Sequence, residues 1–314
     1  MKKIKIIAIE SDYGAGTRGA KLGPQALLKA VNNLNSSLLS GISVHAIIPD
    51  EPEIMDLHPT AKNIDTVINV QNRIIELVQH TLSSNEFPFI ISGDHSNGLA
   101  GISALKNFYA EDSVGVIWID AHADIHSPYT SPSGNLHGMP LAAAMGIGST
   151  KNDKNNINID ITEKWNELLT LGDKKITPKL KPENIVFIDI RDLEDEEISI
   201  LKERNIKFFT PEHKKEAGIS SIIKQTLAHL AKCEHLLVSF DVDSLDPTVS
   251  FGTGTPVPGG LSEQEAVELL TAFMVQPNLK LFEITEINPI LDRQHPMEEV
   301  AAEIIVKILP ALLA

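Results

Sequence analysis

Three short blocks of this chain carry side chains that bind cations: Gly93-Asp94-His95, Asp120-Ala121-His122-Ala123-Asp124 and Asp241-Val242-Asp243. In an extended backbone, residues two apart point to the same side. Asp120, His122 and Asp124 can therefore converge, and so can Asp241 and Asp243. With His95 they make a set of four carboxylates and two imidazoles. Carboxylates gathered in one place repel one another unless positive charge lies among them. Two divalent cations supply that charge and balance it. A donor set of oxygen and nitrogen without sulfur suits manganese, cobalt, iron or zinc better than copper or an iron–sulfur cluster. The chemistry such a pair offers is hydrolysis, because a bound metal brings the pKa of water down to roughly 7 in favourable cases.

Each block alone is weak. D-x-H-x-D also occurs in exposed turns, and D-x-D and G-D-H are commonplace. What distinguishes them here is the segment before each. Apolar runs at 87–92, 114–119 and 236–240 lead directly into the three blocks, and a fourth at 185–190 runs into Arg191-Asp192. Runs at 4–9 and 281–284 have the same character. Between them lie segments of helical period at 24–31, 60–82, 97–109, 194–203, 219–231, 262–273 and 297–309. Pro24 suits a first helical turn, and Ser262 with Glu265 has capping-box spacing. The alternation predicts an α/β fold with a parallel sheet covered on both faces. In such sheets ligands bind beyond the carboxyl ends of the strands, where the His and Asp blocks fall.

A length of 314 residues permits one large α/β domain or two smaller ones. The polar, Asn- and Lys-rich stretch 148–160 reads as a surface insertion, since strands of the same type continue after it, and residues 1–314 are expected to form one domain. At 42% hydrophobic and 22% charged residues, the chain can build a sizeable core, and with aromatics at 5% that core must rest on Ile, Leu, Val and Ala. A formal charge of -15 argues against nucleic acid and anionic membrane surfaces as partners. Bound divalent cations would cancel part of it. The single cysteine, Cys233, excludes an intrachain disulfide and a thiolate metal cluster. No apolar stretch approaches the roughly 18 residues that span a bilayer. The apolar start is interrupted by Lys5 and followed by Glu10 and Asp12, so it is expected to be a strand, not a signal peptide, in a cytoplasmic protein.

The blocks, in their order and in their fuller forms Gly93-Asp94-His95-Ser96 and Ser239-Phe240-Asp241-Val242-Asp243-Ser244-Leu245-Asp246-Pro247, resemble the ureohydrolase family of arginases, agmatinases and formiminoglutamases. Arg18-Gly19, Gly254-Thr255-Pro256, Gly259-Gly260-Leu261 and Glu286-Ile287-Asn288-Pro289 extend the resemblance over most of the chain. Ser133-Gly134-Asn135-Leu136-His137-Gly138 is similar to the substrate loop of arginases, which agmatinases lack.

The resemblance implies a three-layer α/β/α sandwich and two manganese ions, with cobalt or iron as possible substitutes. One ion would be held by His95, Asp120, Asp124 and Asp241, the other by His122, Asp120, Asp241 and Asp243. It implies hydrolysis of the L-arginine guanidinium to L-ornithine and urea by a metal-bridging hydroxide. Asp124 would steady that hydroxide, Glu286 would pair with the guanidinium, and His137 would relay a proton to the leaving amine.

The amino-acid end of the substrate would meet His126, Ser131, Ser133, Asn135 and Glu194, and Thr255 is a further substrate-binding residue the resemblance implies. Here the sequence departs from the arginase pattern: His126 stands where arginases typically have Asn, Glu194 where they usually have Asp, and Ser131 for the usual Thr. The competing expectation is therefore another guanidino or formimino substrate, agmatinase-like or formiminoglutamase-like. A phosphoesterase on the same metals is disfavoured, because an anionic phosphate should recruit Arg or Lys. The expected partners are a small guanidino molecule and, by resemblance, further copies of the chain in a trimer or hexamer.

Overall fold

The computed structural model describes residues 2–50 and 58–313. Its strands are β1 (Lys3–Ile9), β2 (Ser43–Ile47), β3 (Glu86–Ser92), β4 (Val114–Ile119), β5 (Ile185–Ile188), β6 (Lys207–Phe209), β7 (His235–Asp241) and β8 (Leu279–Thr285). They form one sheet in the order β2-β1-β3-β8-β7-β4-β5-β6, with every pairing parallel. The helices are α1 (Gly23–Leu34), α2 (Ile64–Ser83), α3 (Gly98–Phe108), α4 (Pro140–Ala144), α5 (Ile159–Leu169), α6 (Asp195–Glu203), α7 (Pro211–Ala217), α8 (Ile219–His229), α9 (Glu263–Met274) and α10 (Met297–Leu313).

Two apolar layers sandwich the sheet. Ile7, Ile9, Val116 and Trp118 pack with α2, α3, α4 and α5 on one face. Ile4, Ile6, Ile117 and Ile119 pack with α1, α8, α9 and α10 on the other. The period-two alternation of each strand explains this division. Val116, Ile117, Trp118 and Ile119 are fully buried, and each side chain so placed stabilises the fold by roughly 1.5–3 kcal/mol. Strands held this firmly on both faces are rigid supports for whatever their ends carry.

The four central strands β3, β8, β7 and β4 end beside one another, and their ends carry His95, Glu286, Asp241 and Asp120 respectively. Chain connections leave this centre in opposite directions, from β1 outward to β2 and from β4 outward to β5, as at the ligand crevices of open parallel sheets. The Ser262 capping box opens α9 as its spacing predicts, with Glu265 N–H donating to Ser262 Oγ and Ser262 N–H to Glu265 Oε2.

Several elements differ from the sequence expectation. The strand expected over 185–190 stops at Ile188, because Asp189 takes a φ of 74° and turns the chain. The Asp189 carboxylate then pairs with Arg191 at 3.0 Å and Lys214 at 3.2 Å, away from the other acidic blocks. The edge strands β2 and β6 and the helices α4, α5 and α7 had no expectation. Residues 148–158 carry no regular element and none of 148–160 is buried. The segment is tied down at Asn155, whose amide donates to Pro128 O and Ser131 O, so it braces the loop that carries Ser131.

Candidate metal centre

The two expected ligand histidines face carboxylates with their Nδ1 atoms. His95 follows β3 at the start of a short turn leading into α3, and Asp94 caps that turn by accepting Ser96 N–H at 2.9 Å. His95 Nδ1 lies 3.0 Å from Asp120 Oδ2, 3.1 Å from Asp124 Oδ2 and 3.1 Å from Asp241 Oδ2. His122 Nδ1 lies 3.0 Å from Asp243 Oδ2 and 3.5 Å from Asp120 Oδ1. The ligating atoms of His95, Asp120 and Asp241 all fall within 4.8 Å of one another, as do those of Asp120, His122 and Asp243. Asp120 belongs to both groups. The turns that present them are fixed by their own backbone: His122 N–H donates to Asp120 Oδ1, Asp243 N–H to Asp241 Oδ1, and Ala121 N–H to Asp243 Oδ1. Asp124 adopts a φ of 52°, which turns its carboxylate toward His95.

This donor set fits divalent cations. His95 Nδ1 is buried and makes no hydrogen bond, although three carboxylate oxygens surround it. The charges tell the same story. Burial alone would lower the pKa of His95 and of His122, yet the surrounding carboxylates outweigh it and raise both well above the usual imidazole value. Burial, and then Asp120, push Asp124 up to about 6. Burial, then Asp243 and Asp120, hold Asp241 well above the carboxylate range. Asp120 is the exception: the two imidazoles beside it overcome its burial and keep it ionised. In protein alone, protons must supply the positive charge that a cation pair would bring.

The centre opens onto a cleft of about 290 Å³. Its lining includes seven carboxylates (Asp124, Asp192, Glu194, Glu197, Asp241, Asp243 and Glu286) and, among the described residues, no Lys or Arg. Glu286 is buried, with a φ of 64°, and its Oε1 accepts the His95 backbone N–H at 2.9 Å. His137 Nδ1 approaches the same oxygen at 3.0 Å. Burial works against protonation of His137, but Glu286 outweighs it and pushes the ring up to about 9.

Every expected substrate residue lines this cleft: His126, Ser131, Ser133, Asn135, Glu194 and Thr255. Several already have partners. Ser131 Oγ accepts Gly134 N–H, Ser133 Oγ accepts Asn135 N–H, and Thr255 Oγ donates to Asp243 Oδ2 at 3.0 Å. His126 Nε2 lies 3.3 Å from Glu194 Oε2, and burial pushes the ring down to about 4, so it is neutral. Glu194 also caps α6 in a reciprocal pair with Glu197.

The Arginase family model matches residues 2–310. The chain belongs to the arginase family. It is similar to the arginase of Bacillus subtilis, 32% identical over 98% of each chain, whose crystal structure aligns with a TM-score of 0.83. The Bacillus caldovelox arginase is 30% identical, with a TM-score of 0.84 over 100% of this chain and 99% of that one. The Entamoeba histolytica arginase in complex with L-ornithine is 28% identical, with a TM-score of 0.81 over 100% and 98%. Arginase-family enzymes are binuclear metal-dependent hydrolases, in keeping with the two ligand groups.

Some supports of this arginase-family site had no expectation from sequence. The loop after β1 reaches over the centre: Gly14 N–H donates to Asp94 Oδ2, and His137 N–H donates to Gly14 O. A Cβ on Gly14 would lie 2.5 Å from Ser96 Oγ, so only glycine allows this approach. Lys62 Nζ donates to Asn135 Oδ1 at 3.0 Å. Trp118 Nε1–H donates to Asp120 Oδ2 at 2.9 Å.

Proposed function

We propose that this chain hydrolyses L-arginine to L-ornithine and urea with two manganese ions bound. One ion is assigned to His95, Asp120, Asp124 and Asp241, and the other to His122, Asp120, Asp241 and Asp243. Ions held there would supply Lewis acidity and lower the pKa of nearby water toward neutrality. The observation that carries the reading is the shared Glu286 oxygen, bonded at once to the backbone of a ligand histidine and to the His137 ring. A guanidinium bound there lies against the carboxylate cluster in a cleft whose charge favours cations.

In this reading, Glu286 orients the planar guanidinium through charge-assisted hydrogen bonds. Asp124 accepts the proton of the attacking water. His137 is protonated at neutral pH, and its Nδ1–H is held by Glu286. Its Nε2–H is the hydrogen available to the leaving amine. Ser133, Asn135 and the Nε2–H of the neutral His126 ring face the α-carboxylate, while Glu194 receives the α-amino group. Ser131, whose hydroxyl accepts Gly134 N–H and keeps its own hydrogen, also faces the α-carboxylate, whereas Thr255 acts mainly as a support because its hydrogen is already given to Asp243. Assembly as a trimer or hexamer is part of the same reading and is checked by light scattering.

The test is urea release by manganese-loaded protein from L-arginine and agmatine, with formamide release from N-formimino-L-glutamate in parallel. Turnover of arginine, with little of the other two, is expected. Turnover confined to agmatine or to the formimino compound would overturn the assignment.

A further inference from the structure

We propose that Glu283, acting through Ser239, is a positioning residue that presents His95 Nδ1 to the metal. The inference rests on the metal centre assigned above and concerns a buried carboxyl that the mechanism does not use.

Ser239 on β7 and Glu283 on β8 are register partners, so their side chains stand side by side on one face of the sheet. Both are fully buried. Ser239 Oγ donates to Glu283 Oε2 at 3.0 Å, and His95 Nε2 lies 2.8 Å from the same hydroxyl. A serine hydroxyl has one hydrogen. Once that hydrogen is committed to Glu283, the oxygen has only lone pairs to offer His95. The ring must then be the donor, with its hydrogen on Nε2. A neutral imidazole protonated at Nε2 carries its lone pair on Nδ1, the atom that faces Asp120, Asp124 and Asp241. The chain of hydrogen bonds, read from Glu283 outward, selects the tautomer that can bind a cation.

The ring is also fixed in plane. Trp118 stacks on His95 with centroids 3.9 Å apart and planes 6° from parallel. Gly98 makes room for both supports, since a Cβ there would lie 2.7 Å from the Trp118 ring and 3.2 Å from Glu283 Oε2. Glu283 Oε1, by contrast, has no hydrogen-bond partner. A carboxyl held in the core with one oxygen unsatisfied costs stability, and an apolar residue at this strand position would avoid that cost. The fold therefore tolerates a penalty at Glu283 that the His95 contact explains.

The experiment is a manganese titration of wild type, Ser239→Ala, Glu283→Leu and Glu283→Gln by calorimetry, with electron paramagnetic resonance to follow formation of the ion pair. Wild type is expected to take up two ions. Ser239→Ala and Glu283→Leu should retain the ion on the His122 side and lose roughly 10–100-fold in affinity for the ion on the His95 side, delaying the pair signal. Glu283→Gln keeps an acceptor oxygen for Ser239 and should stay close to wild type. Wild-type binding of both ions in Ser239→Ala and Glu283→Leu would overturn the proposal, as would equal weakening of both. If Glu283→Leu fails to fold, Ser239→Ala, which removes one oxygen, decides alone. A wild type that takes up no manganese would instead sink the metal-centre reading, and this proposal with it.

Discussion

The Nδ1 of His137 lies 3.0 Å from Oε1 of Glu286, a contact that joins positions 149 residues apart in sequence. It depends on the Glu286 backbone, whose φ of 64° is uncommon for a residue with a side chain and whose N–H is tied to Gly93 O at 2.9 Å. The carboxylate is thereby fixed before any substrate arrives.

Glu286→Gln keeps the shape of that side chain and removes its charge. The kcat/KM for arginine should fall by about 10²–10³, the scale for losing one preorganised electrostatic contact. Manganese content should not change, since Glu286 is outside both ligand groups. Urea assays on metal-analysed protein check both halves.

His137→Asn removes the imidazole that contacts Glu286 and leaves the metal ligands in place. Because the ring is assigned to proton transfer and not to binding, kcat should drop by about 10²–10⁴ while KM changes little. A rise in KM with kcat retained would contradict that role.

Much of this site was legible in sequence because strand and ligand are neighbours along the chain. The apolar runs before Asp94, Asp120 and Asp241 announce buried strands, and a strand end in a parallel sheet has one destination. The supports were not legible, because their partners are distant: Gly14 and Asp94 are 80 residues apart, and His95 and Ser239 144. Glu283 reads as one polar residue among apolar ones until the register of β7 and β8 sets it beside Ser239. Strand β2 was missed for a different reason. Four of its five residues are exposed, so an edge strand of this kind has no apolar run to reveal it. Strand β5 was overextended because Ile190 continues the apolar pattern beyond the turn at Asp189.

Lys62 bears on substrate choice. Its ammonium donates to Asn135 and so places positive charge beside the residue proposed to meet the α-carboxylate. Lys62→Met should raise KM for arginine by about three- to fivefold, the scale of a screened charge interaction of about 0.7–1 kcal/mol. Any turnover of agmatine, which lacks the carboxylate, should be unaffected. Equal effects on both substrates would point to simple loosening of the loop.

Lys179 gives the fold a pH dependence remote from the metals. It is buried, donating to Leu168 O and Leu169 O at the end of α5, and burial pushes its pKa down to about 7 from 10.5. Between these values the unfolded chain binds the proton and the folded chain does not, so this residue's contribution to stability rises with pH. Below about 7 both states are charged and the contribution is flat. The Tm of wild type minus that of Lys179→Met should accordingly increase from pH 7 to pH 10. A difference that stays constant over that range would refute it.

The most direct test of the binuclear centre is anomalous diffraction from crystals grown with manganese. Two peaks are expected, one among His95, Asp120, Asp124 and Asp241 and one among His122, Asp120, Asp241 and Asp243. A single peak, or peaks away from Asp120, would contradict the account.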